Sequence, residues 1–159
     1  ARPNRIGKVD SHQNVADAVQ HRNYINSDII DRGIRTGKKI DQKDFRIETT
    51  DSIFKKFLTK AGFAKQKSIV NELIHAFAIN SNFLITADIN NIPKYSSAII
   101  SEFLREENLK AGNDFSFETV MSHKDKIEFI RKANKSGYHS YLYFICTDDV
   151  RVNLERVRS

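Results

Sequence analysis

Apolar residues fall in blocks separated by polar, glycine-marked breaks, and the period changes from block to block. HRNYIN (21–26) predicts a short strand, and Asp28 then opens a helical stretch, IIDRGIRTG, that stops between Gly33 and Gly37. In ETTDSIFKKFLTKAG (48–62), Ile53, Phe54, Phe57 and Leu58 share one face of a helix closed by Gly62. KQKSIVNELIHAFAI (65–79) repeats the pattern with Ile69, Val70, Leu73, Ile74 and Phe77 and predicts a second helix. NFLIT (82–86) is a short apolar run that predicts a strand. Pro93 starts a long helix, with Tyr95, Ile99, Phe103 and Leu104 on one face and Gly112 after its end.

The last third is the most regular. DFSFET (114–119) predicts an aromatic strand with an acidic residue near its end, and KDKIEFIRKANKSG (124–137) an amphipathic helix with a glycine stop. YHSYLYFICT (138–147) is a near-continuous apolar run, the pattern of a central parallel strand covered on both faces. Asp148 or Asp149 then caps a final helix. Strand, helix, strand, helix with short connections makes βαβ units, hence an α/β fold with a mainly parallel sheet flanked by helices.

Composition narrows the class. The chain has 159 residues, 40% hydrophobic and 29% charged, which suits one domain over 1–159. No apolar run approaches the ~18–20 residues of a membrane span, and the first ten residues hold no signal-peptide core. Cys146 is the single cysteine, so an intrachain disulfide framework and a cysteine zinc site are both excluded. A reducing, cytoplasmic setting is expected. The formal net charge is +6, and it is uneven: residues 1–67 hold 15 Lys/Arg against 8 Asp/Glu, and residues 68–159 hold 11 against 12. Such a basic N-terminal part is either a solvated face or a match for an anionic partner, a nucleic acid or a small phosphate-bearing ligand.

In an open α/β sheet, ligands bind beyond the C-terminal ends of the strands. Those ends carry Asn26, Ser27 and Asp28 after the first strand, and Glu118, Thr119 and Ser122 after the aromatic one. Asp28 and Glu118 are expected to converge at one edge of the sheet. Asp28 has an alternative role as a helix N-cap. Glu118, directly after an aromatic strand, needs a partner or a use. The five histidines include no HExxH and no close pair, so no metal site is expected among them. Tyr141, Tyr143 and Phe144, at strand spacing, are read as core, and Cys146 as a small buried hydrophobe. No Ser-His-Asp pattern and no GxSxG is present.

At the N-terminus, Gly7 and Lys8 fit the end of a GxxxxGK[ST] phosphate-binding loop, but Arg2 stands at its first glycine and Val9 at its hydroxyl position. The segment FSFETVMSHKDKIEFIRKANKSGYHSYLYFICTDDVRVNLERV (115–157) resembles the zeta-toxin-like P-loop kinases, also described as predicted ABC-type ATPases. YSSAIISEFLRE (95–106) resembles the helix that precedes it in that family, and YINSDII (24–30) the family's INAD-x-I segment. With those anchors placed, ARPNRIGKVD falls where the family has an AGPNGSGKST-like loop. Pro3, Asn4, Gly7 and Lys8 agree, whereas Arg2, Arg5, Ile6, Val9 and Asp10 do not.

The resemblance implies a three-layer P-loop fold and roles for individual residues. Asn4, Gly7 and Lys8 would bind the nucleotide, Lys8 at the β- and γ-phosphates. Asp28 would be the general base that takes the proton of a substrate hydroxyl. Asn26, Glu118, Thr119 and Ser122 would line the acceptor site, with Glu118 also placed to hold Mg²⁺ through water. Arg156 would neutralise charge on the phosphoryl group in transfer. ATP and Mg²⁺ are the implied cofactors, and an antitoxin-like protein is an implied partner. Val9 cannot ligate Mg²⁺, and Arg2 and Arg5 place side chains where the loop needs bare backbone. The family pattern needs more chain at both ends, so the expectation is open between a domain incomplete at both ends, a degenerate relative, and a chain whose first ten identities are unreliable.

The leading expectation is a kinase-like protein that transfers a phosphoryl group from ATP to a hydroxyl of a small molecule, a nucleotide sugar among the candidates. The first alternative is a non-catalytic relative that binds nucleotide weakly through a degenerate loop. The second is a basic nucleic-acid-binding module, for which no recognition motif accompanies the charge.

Overall fold

The computed structural model describes residues 23–60, 67–119 and 124–143. Asn4, Gly7, Lys8, Ser122 and Arg156 lie outside these residues. The described chain is a mixed α/β arrangement, and it falls into two compact units that divide after Thr119.

The first unit opens with β1 (Tyr24–Ile25) and α1 (Ser27–Arg35). The hand-over is made by Asn26, which stays extended while its side chain accepts the amides of Asp28 and Ile29 at 2.8 and 3.1 Å. Asn26 is therefore the N-cap, and Asp28 sits in the first turn, where its charge complements the helix dipole. Next come β2 (Ile40–Asp41), a 3-10 turn (Gln42–Phe45), α2 (Asp51–Lys60) and α3 (Lys67–Ala76). The buried Gln42 side chain accepts the Thr49 amide at 2.6 Å and donates to the Thr49 carbonyl at 3.2 Å, fixing the approach to α2.

The helix predicted over 65–79 stops three residues early. Phe77–Asn80 forms β3, which pairs antiparallel with β4 (Phe83–Thr86), from Phe77 against Thr86 to Asn80 against Phe83. Ser81 and Asn82 make the two-residue turn, with Ser81 at φ 54°. Phe77 and Ile79 are buried and Ala78 and Asn80 are not, a period of two that the preceding helical period masks in the sequence. β4 also pairs with β2, giving an antiparallel sheet in the order β2-β4-β3.

α4 (Ser96–Ala111) is the central helix. It begins later than Pro93, because Tyr95 adopts a left-handed conformation (φ 65°) and turns outward, 70% exposed rather than in the core. Ile99, Ile100, Phe103 and Leu104 are buried, and the Phe103 ring meets Phe54 edge-on at 4.9 Å and Phe57 at 5.3 Å. Each such fully buried side chain contributes roughly 1.5–3 kcal/mol. Gly112 closes the helix at φ 71°, as predicted from its position. The chain then forms β5 (Ser116–Phe117), which pairs in parallel with β1.

Only β1 and β5 pair in parallel; the other described strands are antiparallel. Among the described residues, the mainly parallel sheet expected from the sequence is thus present as one two-strand pair. The physical reason is the β3–β4 hairpin, which takes residues assigned to a crossover helix.

The second unit contains α5 (Lys124–Lys135), ended by Gly137 at φ 88°, which lets the Tyr138 amide return to the Ala133 carbonyl at 3.1 Å. Residues 138–143 carry no strand, contrary to the continuous-run expectation, and Tyr141, Leu142 and Tyr143 are exposed. Within these residues the run finds no neighbouring strand to complete a ladder. Phe144 and Cys146 lie outside the described residues.

Candidate functional site

The parallel pairing of β1 and β5 dictates what meets at their C-terminal ends. Tyr24 lies opposite Ser116 and Ile25 opposite Phe117. The Ser116 amide donates to the Asn23 carbonyl at 3.1 Å and the Glu118 amide to the Ile25 carbonyl at 3.3 Å. One residue further along each chain, Asn26 and Glu118 leave the sheet side by side. Asp28 follows two residues after Asn26, in the first turn of α1. The expected meeting of these residues at one edge is therefore present in the backbone register.

The side chains form a closed set of contacts. Tyr24 Oη donates to Glu118 Oε2 at 2.7 Å. Asn26 Nδ2 donates to the same Oε2 at 2.6 Å and to Tyr24 Oη at 3.0 Å. Asn26 Oδ1 meanwhile holds the two α1 amides. Glu118 thus has its partners, which answers why a carboxylate follows an aromatic strand. Its side chain remains exposed. Partial burial raises the Tyr24 hydroxyl above its ordinary pKa; the Asn26 donor opposes this, and the Glu118 bond and the charges of Glu118 and Asp28 reinforce it. Both carboxylates therefore act on one phenol.

Beneath the strands, the buried Arg105 guanidinium of α4 lies 5.0 Å from the centre of the Phe117 ring, a cation–π contact that seats β5 on α4. Asp28 also borders an open depression of about 570 Å³, together with Asp31, Arg32, Arg35, Thr36 and Ser97; Glu118 is not among its lining residues. Arg35 is held by Asp31 at 2.6 Å, and this pair lies one helical turn apart on the surface. Thr119 is half-buried next to Glu118.

Among the described residues, no group of three or more His, Cys, Asp or Glu side chains could hold a metal ion. Asp28 and Glu118, the two carboxylates at this edge, would hold a Mg²⁺ ion only together with oxygen ligands from elsewhere. No helix among the described residues is long and apolar enough to cross a membrane.

Tyr24 is the one residue of this cluster that sequence reasoning missed. Its signal was present: Tyr24 and Asn26 are two apart in an extended segment, so their side chains fall on the same side. Comparison with known proteins finds nothing: no protein-family model, curated protein or solved structure matches the chain. The resemblance to zeta-toxin-like kinases stands on the quoted residues alone.

Proposed function

We propose that the chain is a phosphotransferase with a three-layer, zeta-toxin-like P-loop fold, which moves the γ-phosphoryl group of ATP onto a hydroxyl of a small molecule. The observation that carries this reading is the convergence of Asn26, Asp28 and Glu118 at the C-terminal end of the parallel pair. Asp28 is exposed and is relieved of capping by Asn26, so its carboxylate is available as a base. The acceptor O–H gives its proton to Asp28, the acceptor oxygen bonds to the γ-phosphorus, and the bond to the β–γ bridging oxygen breaks to release ADP. Mg²⁺, bound with the nucleotide, would supply charge neutralisation at the phosphates. Asn4, Gly7 and Lys8 are the residues proposed to hold that nucleotide, and Arg156 to face the transferred group. A nucleotide sugar is the acceptor class that the resemblance suggests, an antitoxin-like protein the partner, and the cytoplasm the location.

Arg2 and Val9 support the second reading, a relative that binds nucleotide without turnover. A bulky residue at a loop position of unusual backbone conformation costs about 1–3 kcal/mol. One titration separates the two. Binding of ATP is measured with and without Mg²⁺, followed by transfer from γ-labelled ATP to a panel of nucleotide sugars. Mg²⁺-dependent tightening with labelled product supports the kinase. Binding indifferent to Mg²⁺, with no labelled product, supports the second reading.

A further inference from the structure

Every polar atom of the Asn26 side chain is committed. Its oxygen accepts two backbone amides of α1, at 2.8 and 3.1 Å. Its nitrogen donates to Glu118 Oε2 at 2.6 Å and to Tyr24 Oη at 3.0 Å. The oxygen is thereby at capacity, while Tyr24 Oη and Glu118 Oε2, themselves 2.7 Å apart, are both met from one side of the nitrogen. The two ends of the amide also do different work: the oxygen fixes the start of the helix that carries Asp28, and the nitrogen fixes the carboxylate of Glu118.

We infer that Asn26 and Tyr24 are positioning residues, and that the Asn26 amide is the rigid link that sets Asp28 and Glu118 at a fixed spacing. This deepens the proposed function and rests on it. Tyr24 and Asn26 both occupy Oε2 of Glu118, which leaves Oε1 as the oxygen for the acceptor. The link is economical because the residues come from two segments 92 positions apart that share only a two-residue strand pair. Without side-chain bonds, so short a ladder would leave Glu118 free to rotate.

The substitutions that test this separate the two ends of the amide. Serine caps a helix about as well as asparagine but is too short to reach Glu118. Asn26→Ser is expected to keep its Tm within about 2 °C of the parent. It should lower kcat at least tenfold while leaving the KM for ATP unchanged, since the nucleotide is held elsewhere. Asn26→Asp keeps the cap but sets a carboxylate against Glu118, so its Tm should fall by about 2–4 °C. Adding E118Q to N26D restores a donor and an acceptor with their roles exchanged. That double variant should regain the lost Tm and no activity. Tyr24→Phe, which removes one of the two donors to Oε2, should show a smaller kcat loss than Asn26→Ser.

The outcomes are distinguishable. A parent protein that shows no acceptor-dependent turnover overturns the kinase reading, and the positioning role with it. A parent that turns over, beside an Asn26→Ser variant of equal kcat, overturns the positioning role alone. An N26D loss of Tm that persists undiminished with E118Q overturns the contact itself.

Discussion

The hydroxyl of Tyr24 lies 2.7 Å from Oε2 of Glu118, although 94 positions separate the two residues. Two backbone bonds create this meeting, from the Ser116 amide to the Asn23 carbonyl and from the Glu118 amide to the Ile25 carbonyl. A parallel pair of two residues each is marginal on its own. It persists because Ile25 is almost fully buried and Phe117 packs on Arg105 of the central helix. The site edge therefore inherits its geometry from the core beneath it.

The first expectation concerns Asp28. Asn26 caps α1, so replacing Asp28 removes no capping bond. Asp28→Asn should melt close to the parent. Under the kinase reading it should lose at least ~10²-fold in kcat, because an amide cannot take the acceptor proton. Its affinity for ATP should be retained. Steady-state kinetics and a nucleotide titration check both halves. Undiminished turnover would leave Asp28 with only its dipole role at the head of α1.

The second expectation sets two glycines against each other. Gly112 has φ 71° and Gly33 lies inside α1, and an added Cβ meets nothing within 4 Å at either. Space is equal, so backbone conformation decides. Gly112→Ala should cost about 1 kcal/mol, since alanine is strained in the left-handed region. Gly33→Ala should stabilise by about 0.5–1 kcal/mol, because alanine loses less entropy on entering a helix. Urea denaturation of both variants reads the sign directly. Equal signs would refute the argument.

These contrasts also show what was legible. Gly112 was readable as a stop because a left-handed cap is a local demand on one residue. The aromatic run at 114–119 marked a strand, of which Ser116–Phe117 pairs and Glu118 follows directly. The fate of 77–80 was not readable. Phe77 continues the helical period of Val70 and Leu73, and only its pairing with Thr86 selects a strand. Asn-Ser-Asn at 80–82 carried the hairpin signal, but it was outweighed by the longer helical pattern. Asp28 and Glu118 were placed at one edge by strand-end reasoning, whereas the bond from Tyr24 to Glu118 required the register, which is a tertiary fact. The depression beside Asp28 was illegible because Ser97 reaches it from α4, on a distant stretch of chain.

The third expectation is a pH dependence. Asp51 accepts the Ile79 amide at 3.0 Å and pairs with Lys55 at 2.7 Å, joining the start of α2 to β3. Chiefly through the Lys55 bond, its carboxyl is held below the ordinary value, with burial opposing. The unfolded chain therefore takes up this proton first as pH falls. The stabilisation is whole above the ordinary carboxylate value of about 4 and drains away below it. Asp51→Asn should be less stable than the parent at about pH 6–7, and the gap should narrow towards about pH 3. Asp125, lowered chiefly by its bond to Lys126, is 53% exposed and screened by salt, so Asp125→Asn should leave the profile unchanged. Thermal melts across this range decide it. A gap for Asp51→Asn that does not depend on pH would remove the charge from the account.

The last expectation concerns Asn108, fully buried near the end of α4. Its Oδ1 accepts from Asn23 Nδ2 at 2.5 Å and from Asn113 Nδ2 at 3.1 Å, and its Nδ2 donates to the Leu104 carbonyl at 2.8 Å. One amide therefore ties the residue before β1 to the segment leading into β5, at the N-terminal ends of the parallel pair whose C-terminal ends form the site edge. Asn108→Leu has nearly the same volume, so it opens no large cavity. It does strip the acceptor from two amides. Asn113 keeps its bond to the Arg46 carbonyl at 2.7 Å, but Asn23 keeps only a long one to the Asp114 carbonyl at 3.4 Å. A buried donor left unmet costs about 1–3 kcal/mol, so a loss of about 2–3 kcal/mol is expected. Asn23→Gly alone should cost far less. Asn23 sits at φ 54°, where glycine is at ease, and its Oδ1 finds no hydrogen-bond partner among the described residues. In the double variant N23G/N108L the stranded donor is gone, so the loss should be smaller than in Asn108→Leu alone. Chemical denaturation of the three variants measures this coupling. Simple additivity of the two single changes would mean that the Asn23–Asn108 bond does not hold β1 in place.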